Sequence, residues 1–315
     1  MTKLAQPIRD GVYVVDTQYV QADVAACYIV VRGFEVAIVE TGTNDTTPVI
    51  LSALSELGLA TDQVKYVFVT HVHLDHAGGA GSLMSALPAA QLLVHSRGAR
   101  HMVDPTKLQQ GATAVYGEAV FKKMYGDLCS VSEDRVVAVS DGDTFFLNEQ
   151  PLICWDTPGH AKHHMCIWDD TSKSFFTGDT FGLAYESLDT AQGRFIIPTT
   201  TPVQFEPEAL KASIHRLMSK QPEGMYLTHF GYITDTVNAA KTLVEQIDSM
   251  VAIAEKWWQG GERNPAVLES ALLDFYWQNY QSLGGSLSLE AFSGILSMDV
   301  RLNAQGLEVW LGSSH

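Results

Sequence analysis

Four side chains of the kind that bind metal ions fall within six consecutive residues, His71-Val-His73-Leu-Asp75-His76, directly after the apolar run Val64–Thr70. The run predicts a buried strand, so the segment lies on the loop that leaves it. On such a loop His71 and His73 can point one way while Asp75 and His76 point another. Neutral imidazole and carboxylate are ligands that suit zinc, iron or manganese. The segment therefore predicts parts of two adjacent metal sites, each of which needs further ligands.

Three more residues of the same kind follow later strand-like runs. They are His160 after Leu152–Trp155, Asp179 after Ser174–Thr177, and His229 after Met225–Thr228. A sheet holds ligands on its strand tips at fixed separations, as two ions roughly 3.5–4 Å apart require. We expect seven side chains to form one site, namely His71, His73, Asp75, His76, His160, Asp179 and His229.

Short β-branched runs alternate with helix-like stretches along most of the chain. Further strand-like runs are Val12–Val15, Cys27–Val31, Glu35–Val39, Gln91–Val94 and Val136–Val139, and helix-like stretches are Thr47–Leu57 and Gly81–Leu87. This pattern predicts an α/β chain with mixed sheets. The segment 98–128 interrupts the strand rhythm and is long for a connection, so we expect an insertion beside the site.

The pattern changes from Val237 onwards, where apolar residues recur every three or four positions. This spacing is typical of an amphipathic helix. Two more helices are predicted over about Pro265–Leu283 and Ser288–Leu302, separated by Gly284 and Gly285. The chain therefore divides into a main domain over 1–236 and a C-terminal helical extension over 237–315.

The ordered array, His-X-His-X-Asp-His followed by separate His, Asp and His motifs, resembles the metallo-β-lactamase superfamily over about residues 10–236. The resemblance implies an α/β (α+β) fold, an αββα sandwich of two mixed sheets, with 1–236 as the catalytic domain. It also implies two divalent metal ions, with zinc the leading expectation and iron or manganese the alternatives. By this resemblance His71, His73 and His160 would hold the first ion, Asp75, His76 and His229 the second, and Asp179 would bridge both.

One position departs from the family's pattern. Glu40 stands where the family usually has an Asp that supports the ligand loop, so the side chain is longer by one methylene. Beside the ligand His160, the residues His163 and His164 either support a ligand, contact substrate or belong to a plain polar loop. Tyr232 lies three residues after a ligand, although a buried tyrosine with a satisfied hydroxyl is the commoner case.

The ligand set implies hydrolysis, because a water shared by two cations loses its proton far more readily than bulk water. We expect the resulting hydroxide to attack the carbonyl of a lactone, ester or thioester, with Asp75 and Asp179 as catalytic residues. A phosphodiesterase is the first alternative, since two metals also suit displacement at phosphorus. A mononuclear iron dioxygenase is less favoured because the second ligand group is complete. A non-catalytic ligand-binding protein would be expected to have lost ligands, and none is lost.

Charge narrows the class of substrate. The chain has 36 acidic and 20 basic residues, a net charge of −16, and no run of Lys and Arg, which argues against a large nucleic acid and favours a small molecule. The segment 237–315 contains nine acidic residues and only four basic ones, Lys241, Lys256, Arg263 and Arg301. That is a poor surface for the carboxylates of glutathione, so we expect a mainly apolar pocket. Elsewhere Arg97, Arg100 and His101 either meet an anionic substrate or form a solvated loop face.

Remaining features concern location and assembly. The four cysteines include no C-x-x-C pair, the first residues lack a signal-peptide pattern, and no apolar run approaches about 20 residues. These features predict reduced thiols, no membrane span and a cytoplasmic protein. The aromatic-rich C-terminal helices either pack against their own chain or form the face of a homodimer.

Overall fold

Two β-sheets packed face to face form the centre of the protein. The structure is a computed structural model that describes residues 3–200, 202–261 and 263–314. The first sheet contains, in spatial order, β1 (Ala5–Arg9), β2 (Val12–Asp16), β3 (Ala26–Arg32), β4 (Glu35–Val39), β5 (Val64–Val69), β6 (Gln91–His95) and β7 (Val136–Val139). The second contains β8 (Thr144–Leu147), β9 (Gln150–Asp156), β10 (Met165–Asp169), β11 (Ser174–Phe176), β12 (Gly224–Leu227) and β13 (Gly231–Ile233), again with sequential strands as neighbours.

Both sheets are mixed, as predicted. Strands β1 to β4 pair antiparallel and β4 to β7 pair parallel. In the second sheet β11 and β12 pair parallel, and the other neighbours pair antiparallel. Parallel neighbours end at the same edge of a sheet. The residues that follow β4 and β5, and those that follow β11 and β12, are therefore brought together in pairs.

Helices cover the outer faces of the sheets. They are α1 (Thr47–Glu56), α2 (Leu74–Ala77), α3 (Ala80–Ala86), α4 (Ala99–Val103), α5 (Thr106–Tyr116), α6 (Glu118–Tyr125), α7 (Pro207–Met218), α8 (Thr236–Gln259), α9 (Pro265–Ser282) and α10 (Leu289–Ser314). Ile50 of α1 packs in one buried cluster with Ile29 and Ile38 of the first sheet. Tyr28 and Phe68 alternate along their strands with residues of that cluster, and they belong to the other buried cluster, which includes residues of the second sheet. The predicted αββα arrangement is confirmed.

The last helix is longer than the sequence predicts. The expected helix over Ser288–Leu302 ends too early, because α10 continues to Ser314. Asn303 and Gly306 are weak helix formers, but tertiary contacts hold them in the helix. The Asn303 side chain accepts the N–H of Thr200 at 2.8 Å, and a Cβ on Gly306 would lie 2.5 Å from the Thr200 hydroxyl. These long-range contacts are invisible in local sequence.

Three aromatic side chains of α9 and α10 pack inside their own chain. Tyr276, Tyr280 and Phe292 are at most 1% exposed and belong to the same cluster as the second sheet. The rings of Tyr280 and Phe292 lie 4.9 Å apart. The C-terminal helices thus enlarge the central core of the molecule.

Two smaller expectations concern cysteines and membrane spans. All four cysteines are free, and only Cys129 is exposed. Among the described residues, none of the helices has the length and apolar character needed to cross a bilayer.

A buried ion pair ties the two sheets together. Arg32 Nη2 of β3 lies 2.6 Å from Asp169 Oδ2 of β10, and the two side chains are 4% and 1% exposed. The same carboxylate accepts the hydroxyl of Ser172 at 2.6 Å and the N–H of Thr171 at 3.1 Å. Removing one partner of such a pair leaves an uncompensated buried charge.

We predict that Asp169→Ala lowers the free energy of unfolding by about 3–5 kcal/mol, because Arg32 is left buried without its counter-ion. Urea denaturation of the purified protein measures the loss. Lys241→Ala is the matched control, since Lys241 and Glu245 form an exposed pair and removing it should cost no more than about 1 kcal/mol. Equal effects of the two substitutions would contradict the structural role of the buried pair.

Candidate metal centre

The structure brings all seven predicted side chains together at one edge of the two sheets. His71 and His73 follow β5, and the short helix α2 carries Asp75 and His76. The other three, His160, Asp179 and His229, follow β9, β11 and β12. Each side chain therefore stands at or near the end of a strand that the sheet holds in place.

Three imidazoles form one group of potential metal donors. His71 Nε2 lies 2.7 Å from His73 Nδ1, and His160 Nε2 lies 3.2 Å from the same Nδ1 atom. These donor atoms lie within 4.8 Å of one another. Their nitrogens converge on one point, as the ligands of a single ion must.

A second group contains Asp75, His76 and His229. Asp75 Oδ2 lies 3.4 Å from His229 Nε2 and 3.7 Å from His76 Nε2. Asp179 lies between the two groups. Its Oδ1 atom is 3.1 Å from His76 Nε2, and its Oδ2 atom is 3.3 Å from His160 Nε2. One carboxylate thus presents one oxygen to each group.

Two buried polar atoms at this centre have no hydrogen-bond partner among the residues that the structure describes. His76 Nε2 and Asp179 Oδ1 are close to each other, but neither makes a hydrogen bond of acceptable geometry. Unpaired buried polar atoms carry a large desolvation cost and call for an explanation. A divalent cation between them would supply the missing partner, and the nitrogen and oxygen donor set suits zinc, iron or manganese. The residues therefore fit a metal centre.

Neighbouring oxygens hold the second ring nitrogen of four of the five imidazoles. The distance is 3.1 Å from His71 Nδ1 to Thr70 Oγ1 and 3.0 Å from His76 Nδ1 to Glu40 Oε1. It is 3.0 Å from His160 Nδ1 to Thr199 Oγ1 and 2.8 Å from His229 Nδ1 to the Val24 carbonyl oxygen. Such contacts fix the orientation of the ring, so that its Nε2 atom can serve as the metal donor. All four Nε2 atoms face the centre.

Glu40 supports the centre despite the extra methylene. Its buried carboxylate accepts from the Thr70 N–H at 3.2 Å, the Thr228 hydroxyl at 3.2 Å and His76 Nδ1 at 3.0 Å. Glu40 follows β4, Thr70 follows β5 and Thr228 follows β12. One carboxylate therefore joins the ends of three strands from both sheets and fixes the His76 ring.

His164 positions the loop that carries Asp179. Its Nε2 atom accepts the N–H of Asp179 at 3.1 Å, and its Nδ1 atom lies 2.9 Å from the hydroxyl of Thr157. Gly178, before Asp179, has a φ of +48°, and a Cβ there would lie 2.6 Å from His164 Nε2. Only glycine fits between these groups, so the imidazole supports Asp179, one of the roles left open by the sequence.

The other two uncertain residues lie in different places. His163 is 8% exposed and lines the cavity beside the centre. The phenol of Tyr232 contacts Arg9 and Ser174 at 3.1 Å, and Tyr232 is not among the residues that line the cavity. Tyr232 is therefore a satisfied structural tyrosine of β13.

The imidazoles of the centre differ in the direction in which their surroundings shift their pKa. Burial and neighbouring imidazoles hold the pKa of His71 and His73 well below the usual range. Burial also acts to lower the pKa of His229, but Asp179 and Asp75 outweigh it and raise that pKa to about 9. Neutral imidazole is the form that binds metal, so the first group is in this form at neutral pH.

A cavity of about 730 Å³ opens onto the centre. The segment 98–128 forms α4, α5 and α6, and its residues Leu108, Ala112 and Val115 contribute an apolar wall. Tyr185 and Asp299 of α10 line the cavity and are joined by a hydrogen bond of 3.2 Å. The cavity therefore combines surfaces from the insertion and from the last helix.

The family model described as the metallo-beta-lactamase superfamily matches residues 20–253, more than half of the chain. The chain belongs to this superfamily. A metallo-beta-lactamase family protein from Thermus thermophilus has a similar structure, with a TM-score of 0.68 at 20% identity, over 98% of this chain and 95% of that chain. At this identity the likeness shows the fold.

Two relatives are similar over parts of their sequences. A metallo-beta-lactamase fold-containing protein of Sulfurisphaera tokodaii is 28% identical over 180 residues, which are 56% of this chain and 64% of the relative. An atrochrysone carboxyl ACP thioesterase of Aspergillus chevalieri is 26% identical over 154 residues, which are 48% of this chain and 38% of the relative. The chain thus spans less than two thirds of the length of either relative.

We predict that Glu40→Gln lowers the affinity for a divalent metal about 10–100-fold, because the neutral amide supports the His76 ring less strongly than the carboxylate does. Competition with a chromophoric chelator measures the change. Tyr232→Phe is the control, since it removes a partly buried hydroxyl that does not line the cavity and should leave metal affinity unchanged. An unaltered affinity in Glu40→Gln would show that Glu40 does not support a metal ligand.

Proposed function

We propose that this protein is a binuclear metal-dependent hydrolase that cleaves the carbonyl bond of a small lactone, ester or thioester. In this proposal His71, His73 and His160 bind one divalent ion, Asp75, His76 and His229 bind a second, and Asp179 contacts both. Zinc is the leading candidate, and iron and manganese suit the same donors. Membership of the superfamily and the two donor groups support this function.

The observation that carries the proposal is the position of Asp179. Its two oxygens face different groups of imidazoles, at 3.1 Å and 3.3 Å, and Oδ1 has no hydrogen-bond partner within the described chain. A carboxylate that served only to balance protonated histidines would be expected to satisfy both oxygens. Bridging two cations accounts for both the orientation and the missing partner.

Two bound cations would supply a hydroxide nucleophile at neutral pH and polarise the oxygen of the substrate. The protein's own residues then orient the reaction. The carboxylate of Asp75 borders the cavity and can accept a hydrogen bond from a water, which orients that water for attack. The apolar side chains of Leu108, Ala112 and Val115 can hold an acyl chain and keep water away from it.

A carbonyl substrate is favoured over a phosphodiester by two observations. One wall of the cavity is apolar, as an acyl group requires. A thioesterase is also among the relatives, although it is similar over only 38% of its length. The dioxygenase alternative is not favoured, because Asp75, His76 and His229 form a complete second group.

We predict that Asp75→Asn and Asp179→Asn each lower kcat/KM by about 10²–10³-fold, because each removes a charge that faces the reacting groups. The assay uses metal-reconstituted protein and a panel of an acyl lactone, an S-acyl thioester, an aryl ester and an aryl phosphodiester. Asp62→Asn, an exposed position remote from the centre, is the control for the loss of one carboxylate.

Preference for a carbonyl substrate that both variants lose would support the proposed reaction. Preference for the phosphodiester would replace it with the phosphodiesterase alternative. Near-full turnover by either variant would contradict the roles of these carboxylates.

A further inference from the structure

Four basic side chains line the same cavity as the metal centre. Arg97 lies between β6 and α4, Arg100 lies in α4, Lys107 lies in α5, and Lys162 follows β9. We call this set the basic arc. All four side chains are exposed, so the arc lies on the solvent side of the cavity. The chain has only 20 basic residues and a net charge of −16, so their placement in one cavity is not expected from composition.

The members of the basic arc have no ion-pair partner within the described chain, although the charges of Lys107 and Asp104 act on each other from a greater distance. None of its members forms an ion pair within 4.0 Å with a described carboxylate, whereas Arg9, Arg32 and Lys65 all do. The carboxylate nearest in sequence, Asp104, accepts the N–H of Thr106 at 3.0 Å. Cations without partners at one wall of a cavity create a positive potential for an anionic ligand.

The carboxylates of the cavity are placed elsewhere. Asp75 and Asp179 face the imidazoles of the metal centre, and Asp299 accepts the hydroxyl of Tyr185 at 3.2 Å. The negative charges therefore lie at the metal centre and on α10, and the positive charges lie on exposed residues of other elements.

Hydrogen bonds fix the arc relative to the metal centre. Arg97 Nη1 donates to the carbonyl oxygen of Lys162 at 3.1 Å, and the N–H of Lys162 donates to Gln204 Oε1 at 2.8 Å. Lys162 follows His160 by two residues, so their Cα atoms are at most about 7 Å apart. A molecule of ordinary metabolite size can therefore reach both the metal centre and the arc.

We propose that the substrate carries an anionic group, a carboxylate or a phosphate, which the basic arc binds while the apolar wall holds the acyl chain at the metal centre. Arginine recognises both groups through paired N–H donors, and lysine adds a point charge. This inference rests on the proposed hydrolase function and names its substrate class as anionic acyl esters or thioesters.

The expectation of a mainly apolar pocket holds for most of the cavity lining, and the basic arc adds cations that it did not include. That expectation counted basic residues in 237–315, where acidic residues outnumber them. The cations of the cavity come instead from Arg97 after β6, from the insertion and from the loop after β9. The C-terminal helices supply Asp299 and several apolar residues to the cavity, and none of the arc.

A kinetic comparison of matched thioesters tests the proposal. The panel contains the hexanoyl thioesters of N-acetylcysteamine, which is neutral, of phosphopantetheine, which carries a phosphate, and of glutathione, which carries carboxylates. Glutaryl-N-acetylcysteamine places a carboxylate on the acyl side instead. We expect at least one anionic substrate to exceed the neutral one about 10–100-fold in kcat/KM, and the preferred member identifies the anion.

The double variant Arg97→Gln/Arg100→Gln should reduce that ratio to below about threefold, because the arc loses its two paired donors. Lys107→Gln, a single change at an exposed residue, should lower the ratio by a smaller factor. Lys123→Gln is the matched control, since Lys123 belongs to the same insertion but does not line the cavity, and it should leave the ratio unchanged.

Calorimetry with unreactive probes measures anion binding independently of hydrolysis. The probes are S-methyl phosphopantetheine, S-methyl glutathione and monomethyl glutarate, against neutral S-methyl-N-acetylcysteamine. If an anionic probe binds more tightly than the neutral one, and only the double variant loses this preference, the result supports the basic arc as an anion site. If the same protein hydrolyses no ester or thioester, the proposed hydrolase function fails while the anion site stands. Equal binding of neutral and anionic probes, or anion binding retained by the double variant, would overturn the arc as the substrate's anion site.

Discussion

The structure depends on holding three carboxylates and five imidazoles together in a buried space. Asp179 is the critical member, because its two oxygens face two groups of histidines. Its position is set by the backbone N–H bond to His164 and by the close approach that Gly178 allows. Charged groups buried in this way are stable only when partners compensate them. The surrounding fold supplies those partners.

The strand topology holds these side chains in fixed relative positions. Parallel neighbours in each sheet end at a common edge, and His71, Asp179 and His229 follow such ends, while His160 follows the antiparallel strand β9. Glu40 then joins three strand ends through Thr70, Thr228 and His76. The ion pair between Arg32 and Asp169 connects the two sheets away from the centre. Rigid strands position the seven side chains of the centre, while the insertion and the last helix line the adjoining cavity.

The fold and the seven side chains were predictable because their signals are local. An apolar β-branched run followed by a ligand residue indicates a strand and its tip, and β5 with His71 shows how well this works. The length of α10 was not predictable, because Asn303 is held in the helix by Thr200, about one hundred residues away. The support from Glu40 and the basic arc also depend on contacts across the fold. Local sequence at Arg97 left two readings open, and only the folded cavity places it beside Lys162.

The central claim is that this centre holds two metal ions with Asp179 between them. Crystals of the metal-reconstituted protein, measured on both sides of the absorption edge of the metal, test it directly. We expect two anomalous peaks per chain, roughly 3.5–4 Å apart, one beside His71, His73 and His160 and one beside Asp75, His76 and His229. A single peak, or peaks that do not lie on either side of Asp179, would contradict the account.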